Sequence, residues 1–407
     1  MGDVLKPRRR THSPTARLAP TALLVFGPLT ACGDTAPHTD SGAGAAWDVD
    51  PVPWLEIGAV AGDSAYNLDG VSSVHRLSDG RIVVGSPTTG TLSYFDANGR
   101  HLRTAGGAGK GPGEIGSLAA AWVHSGDTIG VFDSGNQRVT FFDSEGRLVR
   151  EVALRPSAAA PDAFVAALPD GGFAIARIQV DPSKWSTEPF ADTMVVMHYA
   201  PDGAERGELV RVGGLRRWRA ARGSGVHPFS PRFVTAGSGS GFVVADGAET
   251  RFEVFDAAAD ARRSVSWPDT TLVPPQAAWQ QLAEEVRRAN DPISRLNASA
   301  LPELGPGPSL PVYSALRVDP ADRVWIKSYD PASDNLWTGA LPQGAGGRWS
   351  VFEPDGQRVA TVQMPEDLIV FEIGTDYVLG VRRDELGIEY VRLHTLRRVT
   401  GVEEEGP

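Results

Sequence analysis

The stretch DTIGVFDSGNQRVTFFDSEGRLV, residues 127–149, decides the fold. Two apolar runs, Ile129-Gly130-Val131-Phe132 and Val139-Thr140-Phe141-Phe142, each end in an Asp and are separated by Ser134-Gly135-Asn136-Gln137. Short β-branched and aromatic runs punctuated by Gly, Asn, Asp and Ser read as antiparallel strands joined by tight turns. With AAWVHS in front and RLVREVAL behind, the stretch supplies four strands, over 119–125, 129–133, 138–143 and 147–154.

The same phrase recurs along the chain. Its third strand and following turn return as TLSYFDANGR from Thr91, TMVVMHYAPDG from Thr193, RFEVFDAAAD from Arg251 and RWSVFEPDGQ from Arg348. The turns Asn98-Gly99 and Glu145-Gly146 lie 47 residues apart. Self-similarity at ~40–50 residues is the signature of four-stranded blades repeated around an axis. The expected fold is therefore all-β: a six-bladed β-propeller of four-stranded antiparallel blades over 51–396, with a short helical insertion between blades 4 and 5. The sixth unit has no fourth strand of its own. The alternating segment WLEIGAV, residues 54–60, is expected to supply it and close the ring.

VFDSGNQRVTFFDSEGRLV and the connector GGAGKGPGEIGS (106–117) resemble the NHL-repeat family and related six-bladed propellers of secreted bacterial proteins. The resemblance implies the fold and leaves the activity open, because such scaffolds host ligand binders, sensors, RNA binders and a few lyases or hydrolases. The glycines at 111, 113 and 116 spell GxGxxG, but a strand follows them, so no helix N-terminus is there to hold a phosphate. The connector reads as a turn between blades. Asp133, Asn136 and Arg138 read as stabilisers of a strand turn.

Residues 1–31 carry Lys6, Arg8, Arg9, Arg10 and Arg17, followed by an apolar segment too short to span a membrane. This is a signal peptide. It ends Leu29-Thr30-Ala31-Cys32, which resembles the lipobox of bacterial lipoproteins, and Cys32 is the single cysteine of the chain. The resemblance implies an acylated Cys32 holding the protein at the cell envelope, since each buried CH₂ contributes about 0.8 kcal/mol. Residues 32–50 read as a flexible tether and 397–407 as a disordered tail. Removing the leader takes away five cations and Asp3, a net +4, and moves the formal charge from −11 to −15. That balance argues against a nucleic-acid partner. A monomer is expected.

Four long insertions break the repeat, over 179–192, 213–231, 270–311 and 330–347. All join second to third strands or one blade to the next, so all fall at one end of the sheets. They carry Trp185, Arg216, Arg217, Trp218, Arg219, Arg222, Trp279 and Trp337. Recognition concentrates on loops mounted on a rigid scaffold, and Trp and Arg are enriched at binding hot spots. The expected function is a non-catalytic module binding a protein, peptide or glycan of the envelope, with Trp185, Arg216, Arg217, Trp218 and Trp337 as candidate contacts. Within 270–311, PPQAAWQQLAEEVRRAND has the apolar spacing, opening Pro and closing Asp-Pro of one helix.

No catalytic residue, metal ligand or cofactor is assigned. Seven histidines remain after the leader, with no HExxH, and no GxSxG is present. Asp69, His75 and Glu372 fall near inner strands and read as turn or channel-lining residues. The alternative expectation is a periplasmic metal-dependent propeller enzyme, lactonase- or lyase-like, using such carboxylates.

Overall fold

The computed structural model describes residues 46–399 apart from 159–162, 182, 184–189, 221–222, 257–260, 269–274, 290–291 and 338–343. The leader, Cys32, most of the tether, Trp185, Arg222 and the last eight residues lie outside the described residues.

Six antiparallel sheets follow one another along the described chain: sheet 1 (73–106), sheet 2 (118–153), sheet 3 (163–226), sheet 4 (234–266), sheet 5 (313–363) and sheet 6 (368–399). Each begins with its innermost strand, and these are Ser73–Arg76, Leu118–His124, Ala163–Ala167, Val234–Gly237, Tyr313–Val318 and Leu368–Ile373. Each innermost strand touches the next in chain order, and the last touches the first. The arrangement is consistent with a β-propeller.

The sequence pattern explains which strand sits where. Second strands are sandwiched between neighbouring sheets and need apolar residues on both faces, so Ile82–Ser86, Gly241–Ala245 and Val324–Ser328 are buried almost throughout. The fourth strands of sheets 1, 2, 4 and 5 face solvent and keep one anchor each. Ala105, Val152, Val265 and Val362 are the buried members, and they pair opposite Leu92, Val139, Phe252 and Trp349 at the same register position. A fully buried apolar side chain of this size contributes about 1.5–3 kcal/mol. The third-to-fourth turns use one device repeatedly. In sheet 2, Asp143 Oδ1 accepts from the amides of Glu145 and Arg147 at 2.9 and 2.8 Å, and Gly146 takes the positive φ of 67° that the turn requires.

The N-terminal segment joins sheet 6 as expected, with more chain than expected. Leu55–Ile57 pairs with the third strand of sheet 6, Glu389–Val399, in the register Leu55 to Leu393. A further strand, Ala46–Val49, pairs with the same strand opposite residues 396–399. The stretch assigned to the tether thus contributes a strand, because Trp47 and Val49 are apolar and buried against sheet 5, with the Trp47 and Trp325 rings 5.7 Å apart. The stretch assigned to the tail likewise remains paired through Val399.

The insertion between sheets 4 and 5 holds two helices, α1 (Pro275–Arg288) and α2 (Pro292–Leu304), where one was expected. The second escaped its sequence pattern because its buried stripe includes Ser294 and Asn297, and Pro302 lies inside the helix. No helix among the described residues is long and apolar enough to cross a membrane.

Candidate functional site

The described parts of the four insertions come together in one cap. The connector 213–231, expected as a loop, is mostly strand. The fourth strand of sheet 3 runs on from Glu205 to Ala220 and returns as Gly223–Val226. Its apolar and polar residues alternate, so Trp218 turns inward while Arg219 is exposed. Phe190 of the first insertion pairs opposite Arg217 of the second.

The cap has its own apolar core. Trp218 and Phe229 from the second insertion pack with Trp279, Leu282, Val286 and Leu301 from the two helices, and Trp337 of the fourth insertion covers them. Trp218, 2% exposed, donates its indole N–H to Val226 O at 3.2 Å. Its ring lies so close to Gly225 that a Cβ there would sit 3.1 Å from it. Trp337 donates to the same Val226 O at 2.9 Å, and its neighbour Leu336 donates its amide to Pro228 O at 3.0 Å. Of the tryptophans named from sequence as contact candidates, Trp218 is interior to the cap, Trp337 is half-buried at its margin, and Trp185 lies outside the described residues. Arg and Trp content alone does not distinguish a folded insertion from a binding rim.

Several charged residues of the cap are engaged as well. Arg217 Nε donates to Asp192 Oδ2 at 2.6 Å, with the Asp192 side chain fully buried. Lys327 and Asp334 form an ion pair at 2.6 Å with side chains 1% and 0% exposed. Asp334 also accepts from the amides of Asp330 and Gly344 at 2.8 and 2.9 Å. His227 stacks on Trp279 at 5.8 Å, receives the Phe229 amide on Nδ1 and donates from Nε2 to Gly305 O. Burial pushes its pKa from 6.5 down to about 4, against the raising effect of the Gly305 carbonyl. Burial also lowers the pKa of Arg216. Sequence reasoning missed His227, Lys327 and Asp334; their one signal was placement in or beside a long insertion.

On the innermost strands a second polar group forms. His75 Nδ1 lies 2.9 Å from Glu372 Oε2, and His75 Nε2 donates to Ala121 O at 2.9 Å. The Tyr377 hydroxyl donates to Glu372 Oε1, and Arg76 lies over the Tyr377 ring at 4.7 Å. Burial and the adjacent Glu372 carboxylate raise the Tyr377 pKa. These contacts tie sheets 1, 2 and 6 together. Asp69 stays apart, exposed, with its carbonyl accepting from Ser86. Among the described residues no group of three or more His, Cys, Asp or Glu side chains is placed to hold a metal ion.

The connector 106–117 is pinned as a structural turn. Asp133, fully buried, accepts from the amides of Gly116 and Ser117 at 3.0 and 2.9 Å and from Asn136 Nδ2 at 2.6 Å. Asn136 Nδ2 also donates to Gly109 O, and Arg138 to Gly111 O.

No protein-family model matches the chain, and no curated protein matches it. Among solved structures, it is similar to an exported protein from Bacteroides fragilis at 12% identity, covering 89% of this chain and 98% of that one, with a TM-score of 0.49. It is similar to a member of the DUF4221 family from Bacteroides vulgatus at 10% identity, covering 87% and 99%, with a TM-score of 0.48. Virginiamycin B lyase from Staphylococcus aureus matches at 7% identity over 87% and 100%, with a TM-score of 0.42. These identities assign the chain to no family.

Proposed function

We propose that the six sheets are the blades of one closed ring, and that the chain is a lipid-anchored envelope protein that binds a protein, peptide or glycan through its cap without catalysing a reaction. The observation that carries this reading is the fusion of insertions from three consecutive sheets into one body with a shared core. Ordering so many residues costs conformational entropy that a bare propeller does not incur. A recognition surface set on a rigid scaffold gives that expense a purpose. The outer face of α2 offers Ile293 and Leu296 to solvent, at 69% and 44% exposure.

A photo-crosslinking residue placed at Leu296, in protein expressed in its own envelope, tests this. Adducts from Leu296 with none from Asn98, in a short turn of sheet 1, support the reading. Adducts from Asn98 alone, or from neither position, overturn it.

The metal-dependent enzyme reading draws on the pairing of His75 with Glu372 on the innermost strands. It lacks a third ligand among the described residues.

A further inference from the structure

The cap contains more buried positive charge than its carboxylates answer. Its enclosed or half-enclosed cations are Arg216, Arg217, Arg232 and Lys327, and its buried carboxylates are Asp192 and Asp334. Asp192 serves Arg217. Asp334 has both oxygens filled, each accepting one bond from Lys327 Nζ and one from a backbone amide. A carboxylate has about four acceptor positions, so Asp334 has none left for a further cation.

Arg216 and Arg232 are the cations left over, and Arg232 is the more deeply buried of the two. It is 7% exposed, and one nitrogen, Nη2, donates to the Asp334 backbone carbonyl. Its Nε and Nη1 are buried without a hydrogen-bond partner. The hydroxyl of Tyr329 is likewise buried without a partner; burial lowers the Arg232 pKa, while the neighbouring Tyr329 and Asp334 act to raise it. A guanidinium cannot shed its proton at any physiological pH, so it cannot escape burial by becoming neutral. A water molecule would satisfy the N–H groups and bring no counter-charge of its own. An oxyanion would satisfy both, accepting from the guanidinium and from the phenol in charge-assisted bonds.

We propose that Arg232 Nε and Nη1 and the Tyr329 hydroxyl form a binding site for an oxyanion, a carboxylate or phosphate group carried by the ligand of the cap. The inference deepens the binding-face reading and rests on it for the identity of the larger ligand. The anion site itself is tested without that ligand.

The experiment uses the full chain in detergent, titrated by calorimetry with sodium phosphate or sodium acetate at an ionic strength held constant with sodium chloride. Saturable binding of one anion above the chloride background is expected, and the arm that binds names the group. Arg232→Met should weaken that binding at least tenfold, and Tyr329→Phe, which keeps the ring and removes only the hydroxyl, severalfold. Should Arg232→Met fail to fold, Tyr329→Phe decides: unchanged affinity overturns the proposal. Absence of saturable binding in both arms, or full binding by a folded Arg232→Met protein, also overturns it. Neither result bears on crosslinking at Leu296, so the two readings fail separately.

Discussion

Trp218 and Trp337, 119 residues apart in sequence, donate their indole N–H groups to one carbonyl oxygen, that of Val226, at 3.2 and 2.9 Å. One acceptor thereby locks the ribbon of sheet 3 to the insertion of sheet 5, and the helices pack around the joint. The two indoles differ in what they add. Trp218 is wholly interior, whereas Trp337 is half-buried at the margin.

Replacement of Trp218 by Ala should therefore lower stability by about 3–5 kcal/mol, the usual cost of emptying a buried aromatic site. Trp337→Phe keeps the ring packing and drops one hydrogen bond, for a loss of about 1 kcal/mol. Urea unfolding of the two variants checks the ranking. Equal losses would show that Trp337 holds the cap as firmly as Trp218.

The buried pair Lys327 and Asp334 yields a second expectation. Lys327→Met leaves a carboxylate at 0% exposure with its counter-charge gone, and should cost about 3–5 kcal/mol. Lys327→Met combined with Asp334→Leu removes both charges and should recover part of that loss, although the Asp330 and Gly344 amides then lose their acceptor. A double-mutant cycle in urea reads the coupling. Additive losses would show that the pair is not an energetic unit.

The sheets were legible because the third strand of the first five runs into a similar Asp-containing turn, a local signal that needs no knowledge of partners. The pairing of the N-terminal segment with sheet 6 was legible by elimination, since sheet 6 lacked a strand and residues 54–60 lacked partners. Ala46–Val49 was hidden by brevity: four residues following a Gly- and Ala-rich run carry too few alternations to stand out. The clustering of the insertions followed from topology. Their interior did not, because whether Trp218 faces solvent depends on α1 and α2, which arrive from ~60 residues downstream and meet it only in the folded chain. Arg232 and Asp334 carry no local motif at all.

Pairing of the first strands with the last strand of sheet 6 predicts a stability cost out of proportion to their length. Ile57, 1% exposed, packs with Leu379, Val381, Val391 and Leu393 of sheet 6. Trp47 lies 4.5 Å from the Arg323 guanidinium and against the Trp325 ring. Ile57→Ala should cost about 2–5 kcal/mol and Trp47→Ala about 3–5 kcal/mol. Hydrogen exchange in either variant should rise first in Glu389–Val399, the strand both segments cover. Faster exchange beginning instead in sheet 3 would disconnect these residues from closure.

His227 makes the cap sensitive to acid. Its folded-state pKa of about 4 lies below the ordinary 6.5, because burial penalises the imidazolium and the nearby Arg216 adds to that penalty. Between these values the unfolded chain takes up a proton that the folded cap refuses. The contribution is therefore fully present above pH 6.5 and is lost as pH falls through 4, reaching on the order of 3 kcal/mol. His394, whose pKa burial also lowers, acts in the same direction at sheet 6. His227→Gln, which cannot titrate, should be less stable than the wild type at pH 7 and should lose less stability on going to pH 4.5. The comparison is made by thermal unfolding of both proteins at the two values, with the other titrating groups common to both. A wild-type loss no larger than that of His227→Gln would show that the imidazole is not the acid-sensitive group of the cap.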